Sequence, residues 1–436
     1  RLIKLNPKDD IAFHNRGLAK ENLGDYQGAI SDYSEALEIN DEYFSAYFNR
    51  AYVKAELKDY KGAINDYSKA LILEPDYLIA FFNRGLAKED LEDYQGAISD
   101  YSEVIKINNK YEDAYYQRAL LKAFQKNHNE AIDDYSEVLK LNPNSYESYY
   151  FRGISKKALN DFDGAISDFS KTLEINNQYE EAYFERALTK VSKKDFVGAN
   201  EDYTKLLLIV PDDEIVLYNR GLNKQRLKDF TEAIKDYSQA LKINDKYKKA
   251  YFERAFSKAQ IGNHYGSIKD YSKVIQLDQE DHIALTNRGL SKEKIKDYKG
   301  AISDYSQALE INQNYESAYF SRAFVKNKLG DYSGSLEDYS KLIKLNPNSH
   351  IYFAFRGRIK NDLEDFEGAL SDFSKSIEIN ENYSYAYSSK GFTKASISDH
   401  KGAINDFSKA IEIDPNDFYS FASRGRSKSL LKDFEG

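Results

Sequence analysis

Thirteen cations divide this 436-residue chain at equal intervals. Arg16, Arg50, Arg84, Arg118, Arg152, Arg186, Arg220, Arg254, Arg288, Arg322 and Arg356 stand 34 residues apart, and Lys390 and Arg424 continue the series. A guanidinium is a planar fork of donors matched to carboxylate or phosphate. A row of such forks could form a basic surface for acidic peptides or a nucleic-acid backbone. A second series weighs against that use. With the arginine counted as position 7 of each unit, position 23 is Asp in all twelve units that reach it, from Asp32 to Asp406, and position 11 is Lys throughout, from Lys20 to Lys428. In a helical hairpin folded near position 15, positions 7 and 23 come level. The spacing predicts internal ion pairs of Arg16 with Asp32, Arg50 with Asp66, Arg84 with Asp100 and Arg152 with Asp168, a structural ladder. If the pairs are partly buried, stripping one partner orphans the other at a cost of about 3–5 kcal/mol.

Other chemistry is thin. There is no Cys, so disulfides, thiolate metal sites and cysteine nucleophiles are excluded. The six histidines do not converge: His128, His264 and His400 each replace a ring at position 17, and His14, His282 and His350 fall in separate units without metal-ligand spacing. The glycines fall at position 8, position 19 or helix ends, so no phosphate loop is formed. Carboxylates sit at caps, in the ladder or on solvated faces. We therefore expect no catalytic residues, no metal, no cofactor and no enzyme activity. The balance of 62 Lys+Arg against 71 Asp+Glu, a net charge of -9, argues against nucleic acid as a partner. No apolar run approaches the roughly 18 residues that a bilayer requires, so no direct membrane insertion is expected. The sequon Asn382-Tyr383-Ser384 is the kind that arises by chance. The lack of any Met, even at the start, suggests an internal fragment; the compartment stays open, with a soluble, cytoplasmic setting favoured.

The elements that carry these residues follow from the same period. Position 16 is Asp in eleven of thirteen units (Asp25, Asp59, Asp93 and onward) and Asn at Asn127 and Asn263. A short acceptor there is an N-cap signal for a second helix, worth roughly 1 kcal/mol. That helix carries apolar residues at positions 20, 21, 24, 27, 28 and 30, a helical stripe. All six prolines (Pro7, Pro75, Pro143, Pro211, Pro347 and Pro415) fall at position 32, where the chain must turn. Position 8 alternates between Gly and Ala from Gly17 to Gly357, so the unit of duplication is a pair of repeats. The chain reads as a single run: 1–9 ends a preceding repeat, 10–417 holds twelve repeats, and 418–436 begins another. One unit cannot bury its own stripe, so stability must come from stacked neighbours.

A helix-turn-helix of 34 residues with small residues at positions 8, 20 and 27, an aromatic at 24 and Pro at 32 resembles the tetratricopeptide repeat. The segment FHNRGLAKENLGDYQGAISDYSEALEIN, from Phe13 to Asn40, is a close match, and the resemblance covers the whole chain. It implies an all-α fold, a right-handed α-solenoid superhelix of antiparallel helix pairs whose first helices line a concave groove. It also implies protein or peptide partners without naming them. This sequence departs from the usual pattern at position 7, commonly Leu and here Arg or Lys, and at position 11, commonly Tyr and here Lys. Members of the family that grip a chaperone's C-terminal carboxylate use Lys at position 5 and Asn at position 9. No repeat here offers that pair; Asn49 and Asn83 do match the Asn one place before the Arg in such clamps, which by itself does not make the clamp. A chaperone-tail receptor is not expected.

Positions 2, 5, 9, 12 and 13 share one face of the first helix, the face that lines the groove in similar proteins. Position 5 is aromatic at Phe48, Phe82, Tyr116, Tyr150, Phe184, Tyr218, Phe252 and Phe320, and position 9 is apolar at residues such as Leu86, Leu120 and Leu222. These residues are expected either to contact a partner or to pack adjacent first helices together. Toward the end, position 5 becomes Ala354, Ser388 and Ala422, while Arg358 and Arg426 take position 9. There an acidic side chain or terminal carboxylate could bind, the alternative being a solvated face. The leading expectation is a non-enzymatic scaffold that binds proteins along the groove. The alternative is a structural subunit whose repeats stack into a larger assembly, with self-association through exposed solenoid ends.

Overall fold

A computed structural model describes residues 6–432, so the outermost parts of the two expected partial repeats, 1–5 and 433–436, lie outside it. The described residues form twenty-five helices and no strand. First helices of 13 residues alternate with second helices of 14, beginning with α1 (Asp10–Asn22) and α2 (Tyr26–Ile39). The fold is an all-α solenoid of antiparallel helix pairs. Contacts between Cα atoms gather the chain into two compact units, divided after Pro211. The first holds α1 to α12 (Phe196–Ile209), and the second holds α13 (Glu214–Arg226) to α25 (Phe418–Leu430).

Local signals set each hairpin. The first helix ends in a residue of positive φ at position 15, which is Gly24 at 78° but Lys58 at 63° and Lys126 at 64°. The following amide closes the turn, as Asp25 N donates to the Lys20 carbonyl at 2.8 Å, satisfying a carbonyl that the helix end would strand. Asp25, Asp59 and Asp93 then accept from the amides of Gly28, Gly62 and Gly96 at 3.0 Å. A Cβ on Gly28 would lie 2.1 Å from an Asp25 carboxylate oxygen, so glycine at position 19 leaves room for the cap. Asn263 caps its helix in the same way at 2.9 Å, whereas Asn127 makes no side-chain cap bond.

The core is a column of rings. Position 24 places Tyr33, Tyr67, Tyr101, Tyr135 and Phe169, and their successors in the second unit, among the largest fully buried side chains. Each ring lies against position 8 of its own hairpin: in the Gly repeats the approach is so close that a Cβ on Gly17 would stand 2.6 Å from the Tyr33 ring. Alanines at positions 20 and 27, such as Ala29 and Ala36, fill the remaining space at full burial.

Candidate functional site

The arginine and aspartate series meet. Arg16 sits on Asp32 through Nε and Nη2 at 2.7 and 2.6 Å, and Arg50 sits on Asp66 at 2.8 Å through both nitrogens. Arg84 with Asp100 and Arg152 with Asp168 repeat the fork. Position 11 supplies a second cation to the same carboxylate, as Lys54 Nζ lies 2.7 Å from Asp66 and Lys156 Nζ 2.7 Å from Asp168. The carboxylates are buried, and the Arg152 side chain is only 18% exposed against 48% for Arg16 at the first repeat. Burial pushes the Asp32 carboxyl up, but the hydrogen bonds and charges of Arg16 and Lys20 outweigh it and hold the group below its ordinary value.

Two further partners had no place in the sequence argument. The third guanidinium nitrogen, Nη1, reaches back one repeat: Arg50 donates to Ser34 at 2.9 Å, Arg84 to Ser68 at 3.0 Å and Arg152 to Ser136 at 3.0 Å. Each serine donates in turn to a carbonyl of its own helix, as Ser34 does to Ile30 at 2.7 Å. The guanidinium also lies over the ring at position 4, with Arg50 5.6 Å from the Tyr47 centroid and Arg152 5.4 Å from that of Tyr149. The signal was present in the sequence as Ser or Thr at position 25 of every repeat. One rung differs. Asp406 keeps Lys394 at 2.7 Å, but Lys390, standing where the other repeats have Arg, makes no ion pair with it among the described residues.

The aromatics at position 5 are half-buried and rest on the ring column. Phe48 lies 5.7 Å from Tyr67 and 5.3 Å from Tyr77, Phe82 5.6 Å from Tyr101, Tyr150 5.8 Å from Phe169, and Phe252 5.3 Å from Tyr271. Tyr116, Phe184, Tyr218 and Phe320 make the matching contact with Tyr135, Tyr203, Tyr237 and Tyr339. At position 9, Leu86, Leu120 and Leu222 are half-buried, while Tyr52, Phe256, Leu290 and Phe392 are exposed at 42, 36, 38 and 41%. Arg358 and Arg426 are both exposed.

Two clefts open on this face, one in each unit. In the first unit, a cleft of about 300 Å³ lies between α3 (Phe44–Glu56) and α5 (Leu78–Asp90), with Tyr52, Glu56, Lys58, Tyr60, Leu86 and Asp90 among its walls. In the second, a cleft of about 610 Å³ is bounded by Arg358, Asn361, Tyr385, Ser388, Phe392 and Tyr419 among others. It opens where Ser388 stands at a position that holds a ring in earlier repeats; Arg426 is not part of it. Burial pushes the Arg358 pKa down, but Tyr385 and Asp362 nearby outweigh it and hold the guanidinium above its ordinary value, so part of its charge is already answered. Both clefts are built chiefly from positions 2, 5, 9, 12 and 13 of successive first helices. Of the residues that line them, Glu56 and Asp90 at position 13, Asn361 at position 12 and Tyr385 at position 2 lie where the residue varies from repeat to repeat, so the period does not single them out.

Other titratable groups do not converge. Among the described residues, no group of three or more His, Asp or Glu side chains could hold a metal ion, and no helix is long and apolar enough to cross a membrane.

Sequence comparison bears directly on this arrangement. Family models for the tetratricopeptide repeat match residues 11–43, 44–77, 79–111, 112–145, 215–247, 283–315, 316–349 and 384–417, together more than half of the chain. The chain belongs to the tetratricopeptide repeat family. That family is one of protein-interaction scaffolds and is typically non-enzymatic. Solved structures similar to this tetratricopeptide array include a tetratricopeptide repeat protein from Parabacteroides merdae, at 24% identity over 57% of this chain and 98% of that one, with a TM-score of 0.43. Yeast Tom70 is similar at 19% identity over 97% of this chain and 96% of its own, with a TM-score of 0.38. YrrB, described as a TPR protein with an unusual peptide-binding site, is similar at 22% identity over 42% and 95%, with a TM-score of 0.39. At these identities the similarity is one of fold. No curated protein matches the chain.

Proposed function

We propose that this tetratricopeptide array is a non-enzymatic adaptor that holds an extended segment of a partner protein along the first-helix face. The observation that carries the reading is the position of the two clefts, each bordered by position 9 of two successive first helices and by positions 12 and 13 of the earlier one. In this reading the rings at position 5, including Phe48, Phe82 and Phe252, form the floor and keep adjacent repeats in register. The exposed position-9 side chains and the cleft walls meet the partner. The ladder of Arg16, Arg50, Arg84 and Arg152 with their aspartates serves the scaffold and commits these guanidiniums internally, which with a net charge of -9 supports a protein partner over nucleic acid.

The alternative reading is a structural subunit whose repeats pack into a larger assembly. Panning a random dodecapeptide library on the immobilised protein separates the two. The comparison variant carries Phe256→Ser, Leu290→Ser and Phe392→Ser, chosen because these side chains are exposed; Phe392 also rests on the Phe407 ring at 5.1 Å, so circular dichroism first confirms that the helices are kept. Peptides enriched on the parent and lost on the variant support the adaptor. Failure to enrich any peptide, with light scattering reporting concentration-dependent oligomers, shifts the reading to the assembly.

A further inference from the structure

The cleft between α3 and α5 has a distinct chemistry. Tyr52, Tyr60, Glu56 and Asp90 share its wall, so two rings and two carboxylates gather at one rim, and the Glu56 charge raises the Tyr52 hydroxyl above its ordinary value. Glu21, one repeat earlier, also lies close enough to act on Tyr52. Nearby cations are committed elsewhere. Arg16 and Lys20 sit on Asp32, Arg50 and Lys54 on Asp66, and Arg84 and Lys88 on Asp100. Among the described residues, Glu21, Glu56 and Asp90 make no ion pair, and Lys58 at the lip is the one cation bordering the cleft. The ladder thus absorbs the positive charge of these first helices and leaves their face here with a surplus of carboxylate. Leu86 and Ala55 supply an apolar wall behind it.

We propose that this cleft receives an arginine or lysine side chain from an extended peptide segment of the partner. The aliphatic stem would run along Leu86 and Ala55, with the cationic head between the Tyr52 and Tyr60 rings and the Glu56 and Asp90 carboxylates. A desolvated cation gains both from the ring faces and from charge-assisted hydrogen bonds. The inference rests on the adaptor reading above and assigns a chemistry to one stretch of that face.

The test uses the full chain and fluorescence anisotropy with a labelled peptide, Ala-Arg-Ala-Arg-Ala-Arg-Ala, against the same peptide with citrulline, an uncharged isostere, in place of each arginine. The arginine peptide is expected to bind about tenfold more tightly. Glu56→Gln with Asp90→Asn should remove about that factor, while Glu38→Gln with Asp41→Asn, an equal charge change at exposed positions outside the cleft, should change affinity less than about twofold. Circular dichroism first confirms that both variants keep their helices. Equal losses in the two double variants overturn the proposal, since binding would then follow net charge alone. Equal affinity for the citrulline peptide, or no binding of the arginine peptide, overturns it as well. If library peptides that depend on Phe256, Leu290 and Phe392 bind the parent protein while the arginine peptide does not, the adaptor reading stands and this one falls.

Discussion

Arg152 sets Nε and Nη2 on the two carboxylate oxygens of Asp168, at 2.8 and 2.7 Å. Asp168 is 3% exposed, so losing the guanidinium would leave a buried carboxylate with only Lys156 as a counter-charge. Arg152→Ala should cost about 3–5 kcal/mol, mostly from the orphaned Asp168. Native-state hydrogen exchange in the helices Tyr146–Ala158 and Phe162–Ile175 would read that loss locally, which suits a long array that need not unfold as one unit. Lys205→Ala, at an exposed site, should leave protection unchanged. Equal protection in the two variants would remove the ladder from the list of stabilising elements.

The same guanidinium reaches Ser136 of the preceding repeat at 3.0 Å, so each rung links neighbours as well as closing its own hairpin. Ser136→Ala should weaken the interface by roughly 1 kcal/mol, the ordinary net value of one such bond. The decisive reading is a double-mutant cycle. In the Arg152→Ala background, Ser136→Ala should cost almost nothing, because its partner is already gone. Additive losses would mean that the serine acts only through its bond to its own helix.

Lys390 marks a rung that the sequence can complete. Its repeat has Asp406 at position 23 and Ser374 at position 25 of the repeat before, with Tyr387 at position 4. Lys390→Arg should restore the fork to Asp406 and the bond to Ser374, and should raise stability by about 1 kcal/mol. Slower exchange in the helices Ser384–Ser396 and His400–Ile413 is the expected result. Unchanged or faster exchange would show that the space at this rung has closed around lysine.

Periodicity made most of the scaffold legible. A period of 34 with Asp at position 16 and Pro at position 32 fixes helix starts and turns, because caps and breakers act locally. The pairing of Arg16 with Asp32 was readable because an antiparallel hairpin converts sequence distance into height. Ser34 was harder to assign, since it serves the arginine of the next repeat and the spacing between hairpins is set by packing, not by one repeat's own sequence. The rings at position 5 were ambiguous for a related reason. A first-helix face looks the same in sequence whether its aromatics meet a partner or the next repeat, and Phe48 rests on Tyr67 and Tyr77. The clefts were less visible still, because Glu56, Asp90 and Asn361 sit at positions that vary between repeats and the space depends on how two helices pack.

His14 occupies position 5 of the first whole repeat, where most later repeats have a phenylalanine or tyrosine. It is buried at 7% exposure, packs against Tyr43 at 4.9 Å and Tyr33 at 5.5 Å, and shares a 3.0 Å hydrogen bond with Asn49 through Nε2. Burial pushes its pKa down, against smaller upward contributions from Asn15 and Ser45. The unfolded chain, with an ordinary histidine near about 6.5, therefore takes up the proton first as the pH falls. Stability from a neutral His14 is fully present above that value and declines as the pH drops from it toward the lowered folded value. His14→Phe should abolish this part of the pH dependence. The comparison is exchange protection in Asp10–Asn22 at several pH values, corrected for intrinsic exchange rates. A smaller loss of protection on acidification in His14→Phe than in the parent is the expected result. An identical acid-dependent loss in both proteins would transfer the effect to the carboxylates of the same repeat, beginning with Asp32, whose own lowered pKa places its loss of stability at lower pH.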